Sequence, residues 1–278
     1  MTAAARDVRS LTHAAAPGPA LGSLAPARRA ALRAECTRLA ELDDAEFGVR
    51  LLANTPTHEG RGPALLDRWA QAATAFGTEL AADGGRRGSD AHGPGGRGPD
   101  AHRRDGHGPG GRGPDAHRRD GHGSGARVVE RDGGLGQLLL ARYVSRPAPA
   151  VELYVDTLAL GEELAGWLGW RGWFPAGALR EAALAHETAH CLLHGDAPLR
   201  RALRMRVGHT ALRLGRLRVL GHVAGADELA AHGYAAARCG LGRTPLLLTA
   251  ALASAARALG ETSGTALAGT SVGALGED

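Results

Sequence analysis

Residues 93–107 and 108–122 are two identical copies of one segment, GPGGRGPDAHRRDGH. The segment holds no apolar side chain larger than alanine, so neither copy can add to a hydrophobic core or stack as a structural repeat. We therefore predict a disordered insertion over residues 83–126. Its histidines could bind metal ions weakly, although an inert linker is the simpler interpretation. Any folded core must form from the sequence on either side of this insertion.

The two ends of the chain also lack core-forming side chains. Residues 1–26 are rich in alanine, proline and glycine, so burial cannot offset the entropy lost on ordering them. We predict that residues 1–26 are disordered and that residues 261–278 form a flexible tail. Residues 27–82 and 127–260 then remain to build the folded protein, as one compact domain rather than two.

Residues 27–82 show helical periodicity. Leu32, Cys36 and Leu39 are spaced to share one helix face, and Pro63 stands where proline is favoured, in the first turn of a later helix. The apolar residues that follow at helical intervals are Leu66, Trp69, Ala73, Phe76 and Leu80. The segment is predicted to form two or three helices that pack on the rest of the fold.

Residues 127–260 combine strand and helix patterns. A short apolar run at residues 137–144 and an alternating pattern at residues 151–156 predict strands of a small sheet. The elements predicted to follow are a short helix at 158–167, a loop at 169–177 and a long helix from about residue 178. The predicted fold class is therefore α+β.

Charge, cysteine content and hydropathy limit the class of protein. The net charge is +4 and the isoelectric point about 9.5, but many arginines alternate with aspartates in the insertion, so direct nucleic-acid binding is not predicted. Three separated cysteines, in no CxxC pair, argue against a disulfide framework and a thiolate metal site. No apolar run suits a signal peptide or a membrane span. We expect a soluble, cytoplasmic protein.

The sequence His-Glu-Thr-Ala-His at residues 186–190 is the strongest chemical signal in the chain. Residues four apart on a helix lie on one face, so His186 and His190 can bind one zinc ion together. Glu187 can approach a water molecule at the metal without binding the metal itself, as a general base must. The flanking residues are apolar, and two unpaired histidines in a buried helix would be costly without a metal.

A catalytic zinc site needs a third protein ligand and one open position. Asp196 stands at the offset used by the metzincin class of zinc proteases, but Leu193 replaces the glycine that this class requires. Glu228 is the better candidate, because Asp227 and Glu228 begin another helix with an apolar face. Asp196 or a further histidine remains the alternative.

The stretch AHETAHCLLHGD at residues 185–196, followed by Glu-x-x-Ala-x-x-Tyr-Ala at residues 228–235, resembles the ImmA/IrrE-type zinc metallopeptidases. Their pattern is H-E-x-x-H, often with L-L-H after it, and then E-x-x-A-x-x-F-A. The resemblance covers roughly residues 127–260. Glycine usually precedes the second histidine in that family, whereas Ala189 does so here, and the gap between the two motifs is long.

The resemblance implies a site and a type of substrate. It implies that His186, His190 and Glu228 bind Zn²⁺ and that Glu187 is the base. The implied fold is a zincin-like, gluzincin-like domain in which a small sheet accompanies two ligand-bearing helices. In the resembling family the substrates are often transcriptional repressors, which implies limited proteolysis of a regulatory protein.

Two further histidines lie near these motifs in the sequence. His194 is one helical turn beyond His190, where it could hydrogen-bond a ligand or could simply end the helix before Gly195. His232 lies four residues after Glu228, where it could hydrogen-bond that ligand, stabilise a developing oxyanion, or be an ordinary surface histidine. The sequence leaves these alternatives open.

Residues 199–218 are rich in arginine. The segment contains Arg200, Arg201, Arg204, Arg206, Arg213, Arg216 and Arg218 among leucines. We predict the solvated face of a pair of amphipathic helices, and the alternative is a patch for an acidic partner or for DNA. The chain has no recognisable helix-turn-helix signature, RRM motif or zinc-finger spacing, so nucleic acid is not the expected ligand.

The expected function is zinc-dependent hydrolysis of a peptide bond in a protein or peptide substrate. An extended substrate could bind along an exposed strand edge within residues 137–156. One alternative is a non-proteolytic, zinc-stabilised interaction module, and another is an arginine-rich nucleic-acid-associated protein with a degenerate zinc domain. Glu187 favours the enzyme, because a structural zinc site needs no base. The sequence does not indicate the oligomeric state.

Overall fold

The computed structural model describes residues 20–89 and 126–260, and over these residues the chain is α+β and mostly helical, with a small sheet. The predicted fold class is confirmed at this level. Most of the three segments predicted to be disordered lies outside the described residues, at 1–19, 90–125 and 261–278. None of the described helices is both long enough and apolar enough to cross a membrane.

Eight α-helices and five strands make up the described chain. The helices are α1 Pro26–Glu41, α2 Asp44–Ala53, α3 Pro63–Ser89, α4 Val155–Trp167, α5 Ala178–Gly195, α6 Ala197–Val207, α7 Ala226–Cys239 and α8 Pro245–Leu259. The strands are β1 Arg127–Arg131, β2 Ala141–Val144, β3 Ala150–Tyr154, β4 Thr210–Leu214 and β5 Leu217–Leu220. Three helices begin at a proline, which suits a position whose N–H needs no intrahelical partner.

The N-terminal helices α1, α2 and α3 occupy the segment predicted to be helical, residues 27–82, and extend beyond it at both ends. Residues 83–89, predicted to be disordered, are therefore helical. Residues 20–26 do not fit the predicted disorder, because Leu21 and Leu24 are buried and the Leu21 N–H donates to Glu163 of α4. Two leucines three residues apart suffice to anchor this turn, although the average composition of the segment hides them. At the other end, α3 continues through Ser89.

The sheet has the order β1-β3-β2, with β1 parallel and β2 antiparallel to β3. The strand predicted at residues 151–156 is present as β3 up to Tyr154, but Val155 and Asp156 already belong to α4. The predicted strand at 137–144 is also shorter in the structure. Only Ala141–Val144 is extended, because residues 135–137 form a 3-10 turn and Leu138 has a positive φ. Strand β1 was not predicted, since most of its side chains are exposed and carry no apolar alternation. Strand β2 lies at the edge of the sheet.

Helix α3 packs very closely against α7, which carries Glu228. A Cβ atom on Gly77 would overlap the carbonyl oxygen of Ala230, and one on Gly233 would overlap the carbonyl oxygen of Thr74. The absence of side chains at these two glycines therefore lets the backbones approach. On the other side of α7, a cluster of small buried side chains separates it from α5: Ala185, Ala189, Ala231 and Ala235. Helix α7 is thus held between α3 and α5.

The arginine-rich segment is not the pair of helices predicted for residues 199–218. Helix α6 ends at Val207, Gly208 follows in the left-handed conformation, and β4 and β5 form an antiparallel hairpin. The helical prediction was wrong because the apolar residues after Gly208 recur with a period of two, which suits a strand. The turn of the hairpin contains Gly215, also at positive φ.

Candidate metal centre

Helix α5 presents both motif histidines from the same face. Their Nε2 atoms are 3.0 Å apart and their ring centroids 4.7 Å apart. The helix buries its apolar residues on both sides of the pair, including Ala185, Ala189 and Leu193. The four-residue spacing of His186 and His190 thus produces two imidazole nitrogens that point at one position.

Glu228, in the first turn of α7, brings a carboxylate to the same position. Its Oε1 lies 3.3 Å from His186 Nε2, and its Oε2 lies 3.1 Å from His190 Nε2. Ligands about 2.05 Å from a tetrahedral zinc ion are about 3.3 Å from one another. The separations of 3.0–3.3 Å are close to this value, with a different Glu228 oxygen facing each histidine. One ligand atom from each of the three residues also lies within 4.8 Å of the other two, so the residues present fit a zinc ion.

The Glu228 side chain is buried, with the residue only 9% exposed. Burial alone would raise the pKa of this carboxyl, but the neighbouring His186, with His190 and His232, holds its pKa well below the usual range. Oε1 nevertheless makes no hydrogen bond of acceptable geometry within the described residues. A buried, ionised oxygen without such a bond needs another source of positive charge, and a bound cation would supply it.

His190 differs from an ordinary buried histidine. Burial lowers the pKa of its imidazole, but the hydrogen bond and charge of Glu228 outweigh this effect, so the pKa is raised. Without metal, a proton on His190 can therefore supply part of the positive charge that a bound cation would place next to Glu228. Protons and zinc must compete for this nitrogen.

His232 is largely buried against the site, so it is not a surface histidine. Its Nε2 lies 3.2 Å from Glu228 Oε1, and its ring centroid is 4.5 Å from that of His186. Burial, together with repulsion from His186, lowers the pKa of His232. Its Nδ1 has no hydrogen-bond partner in the part of the chain that the structure describes. The ring therefore packs against Oε1 and helps to hold the Glu228 carboxylate in place.

Glu187 points towards the sheet and not into the group formed by the three ligand candidates. Its Oε2 accepts a hydrogen bond of 2.9 Å from the backbone N–H of Tyr143 in β2. Since β3 pairs with the opposite edge of β2, this N–H belongs to the free edge of the sheet. This contact could not be predicted from the sequence, because a main-chain donor is not marked by any residue type.

Asp196 and His194, the other acidic and histidine candidates near the end of α5, do not join this group. The Asp196 carboxylate caps α6 by accepting a hydrogen bond from the Leu199 N–H, 3.0 Å away. It is therefore engaged elsewhere and is not placed as a third ligand. His194 is exposed, and its ring stacks on that of His190 with 5.9 Å between centroids. Helix α5 ends one residue later, at Gly195.

The site therefore consists of two helices that converge on one position and an edge strand beside it. No protein-family model, curated protein or solved structure matches this chain.

Proposed function

We propose that this protein is a zinc-dependent metallopeptidase with a zincin-like active site of the ImmA/IrrE type. The observation that carries the proposal is the convergence of His186, His190 and Glu228 from two helices, with ligand atoms 3.0–3.3 Å apart. Two histidines and a glutamate leave a fourth zinc position for water or substrate, as catalytic zinc sites require. Glu187 directly follows His186 on α5.

In the proposed reaction, Glu187 moves the protons. When bound, zinc supplies Lewis-acid polarisation of a water molecule and of the scissile carbonyl. The Glu187 carboxylate accepts the proton that the attacking water loses and delivers it to the nitrogen of the leaving amine. His232 keeps Glu228 in place from behind, through the contact at 3.2 Å.

The free edge of β2 suits an extended polypeptide as the substrate. Unpaired N–H and C=O groups along a strand edge can form a ladder with an added strand. The Tyr143 N–H of this edge already donates to Glu187, which fixes the edge next to the base. A peptide that pairs with the remaining edge groups of β2 would run past the site. We propose a protein substrate, cleaved in an extended segment, with a transcriptional regulator as the candidate that the motif resemblance suggests.

The same hydrogen bond also favours a second candidate, a zinc-stabilised interaction module without protease activity. In that module Glu187 would serve only to join β2 to α5, and no base would be required. The two functions share the three metal ligands. They differ in whether the Glu187 carboxylate exchanges protons.

A comparison of the unaltered protein with Glu187→Gln tests the proposal. The amide keeps an oxygen that can accept from the Tyr143 N–H, so the fold and about one zinc per chain should persist. Cleavage of a quenched-fluorescent peptide library should fall at least about a hundredfold, as expected for loss of a general base. Equal activity in both proteins would contradict the role of Glu187, and a zinc-loaded protein without any cleavage would support the interaction module.

A further inference from the structure

Helix α5 carries three histidines in one row, and α7 opposes them with two carboxylates. His194 continues the series begun by His186 and His190, each one turn further along the helix. In the first turn of α7, Asp227 immediately precedes Glu228. The outer end of the row therefore repeats the composition of the proposed zinc site, with two histidines and one carboxylate.

The outer residues also lie close together. The ligand atoms that His190, His194 and Asp227 can offer all lie within 4.8 Å of one another. The rings of the two histidines are nearly parallel, at 19°. Neither the Asp227 carboxylate nor the His194 ring has a hydrogen bond or an ion pair among the described residues. No polar partner among these residues therefore holds either side chain away from an ion.

A cavity of about 90 Å³ adjoins this outer group and is lined by His194 and Asp227. It offers space for the water molecules that a cation with only three protein ligands would keep. Arg200 and Arg204 line the same cavity. Their positive charge would repel a divalent cation, so an ion there should be held much more weakly than one in the inner group.

We propose that His190, His194 and Asp227 form a second, weaker binding position for a divalent metal ion. It deepens the proposed function and rests on it in one respect, namely that the inner group His186, His190 and Glu228 holds zinc. Because His190 belongs to both groups, an outer ion must share this imidazole or draw it away from the inner ion. Excess zinc would then disturb the inner site, which makes the outer position a regulator of zinc occupancy.

A structural role for Asp227 gives a different expectation. A carboxylate next to a metal-binding histidine often accepts a hydrogen bond from its second nitrogen and so orients the ring. In that case replacing Asp227 would lower the affinity of the inner group for its ion, and the unaltered site would bind no second ion. The number of ions bound by each variant separates the two roles.

The experiment is equilibrium dialysis of the full-length protein against increasing Zn²⁺, with bound metal measured by plasma emission. The histidines of the insertion could bind metal themselves, so the starting protein for all measurements, called the parent protein, is a variant in which they are replaced by glutamine. The replaced residues are His92, His102, His107, His117 and His122. Two ions should bind, the second with a Kd at least about a hundredfold higher than the first. His194→Ala and Asp227→Asn should each weaken the second ion at least about tenfold and leave the first unchanged.

His222→Ala is the matched control, since His222 lines the same cavity but is not one of the three proposed ligands. This variant should keep both ions. A single ion in the parent protein would overturn the outer site and leave the proposed enzyme intact. A second ion that persists in both His194→Ala and Asp227→Asn would overturn it too. If no ion binds at all, the outer site and the proposed function fail together.

Discussion

Helices α5 and α7 and the β4–β5 hairpin distribute polar and apolar side chains in opposite ways. The helix pair buries a glutamate and three histidines against one another. The hairpin exposes its large apolar residues, with Leu214 and Leu217 60% and 62% exposed. Cross-strand pairing of Leu212 with Val219 and of Leu214 with Leu217 places all four on one face.

The difference indicates which part of the molecule needs the rest of the fold. The buried glutamate and histidines of the helix pair lie 3.0–3.3 Å from one another, and α3 packs closely against α7. The hairpin pairs two strands with each other, and two strands alone are marginally stable. We infer that substitutions in the helix pair change the stability and zinc content of the whole domain, whereas substitutions in the hairpin have only local effects.

The largest expected effect is loss of metal from the helix pair. His190→Ala removes one of three ligands, and an equal share of a zinc binding energy of roughly 10–16 kcal/mol amounts to about 4 kcal/mol, or roughly a thousandfold in affinity. Zinc content after mild purification, measured by plasma emission, should fall close to zero. Undiminished zinc in this variant would show that the metal, if any, binds elsewhere.

Disturbing the contact that holds α7 should have the next largest effect. Gly77→Ala places a methyl group against the Ala230 carbonyl, and overpacking of this kind costs about 3 kcal/mol, or a Tm lower by roughly 6–12 °C. Gly84→Ala in the same helix is the control, because a Cβ there meets nothing within 4 Å. It should leave the Tm unchanged or slightly higher. Similar Tm values for the two variants would contradict the close approach of α3 and α7.

Acid should affect the helix pair selectively. The pKa of His190 is raised above the ordinary histidine value of about 6.5, so its ring takes up a proton at a higher pH than an ordinary histidine. The protonated ring nitrogen cannot bind zinc. Zinc affinity should therefore fall as the pH decreases through this pKa, by at least about tenfold between pH 7.5 and 5.5. The strands and turn of the hairpin contain no histidine, aspartate or glutamate. Dialysis against a chelator at each pH measures the effect, and constant affinity would contradict it.

Deleting residues 90–125 should affect neither region strongly. Their repeats hold no side chains that could join a core. Zinc content should stay at its original value and the Tm should change by only a few degrees, provided a short glycine-serine linker replaces the segment. Differential scanning calorimetry and metal analysis test this. Loss of zinc on deletion would show that the insertion supplies a ligand or packs against the domain.

The smallest effect is expected in the hairpin. Leu214→Ser and Leu217→Ser replace exposed side chains, so each should change the free energy of unfolding by less than about 0.5 kcal/mol. Zinc content should be unchanged. A drop comparable to that of Gly77→Ala, seen in urea denaturation, would show that the apolar face of the hairpin is covered by another part of the protein.

The sequence was informative where a chemical requirement fixes residue types at a fixed spacing. Helix geometry places His186 and His190 on one face because they are four residues apart, and Glu228 lies in the first turn of α7. The structure brings these side chains together. Their role in binding zinc remains a proposal. The sequence was uninformative where backbone atoms or distant segments decide the structure. The Tyr143 N–H and the order of the short strands belong to this class.

The hairpin shows a second limit of sequence analysis. Leucines and arginines between Gly208 and Gly221 fit either a helix or two short strands when only seven or eight positions are considered, and the glycines at positive φ decide in favour of strands. The buried turn at residues 20–26 was missed for a related reason. Two leucines determine it, whereas a compositional average over the segment does not detect them.

The close packing of α3 on α7 at Gly77 and Gly233 also has a consequence for the synthesis of the protein. Helix α3 leaves the ribosome roughly 150 residues before α7, an interval of roughly 8–30 s at about 5–20 residues per second. During this interval the face of α3 that includes Ala70 and Ala73 has no α7 to cover it. The apolar face of α3 therefore stays uncovered in the nascent chain until α7 has been synthesised, and it must not aggregate during that time.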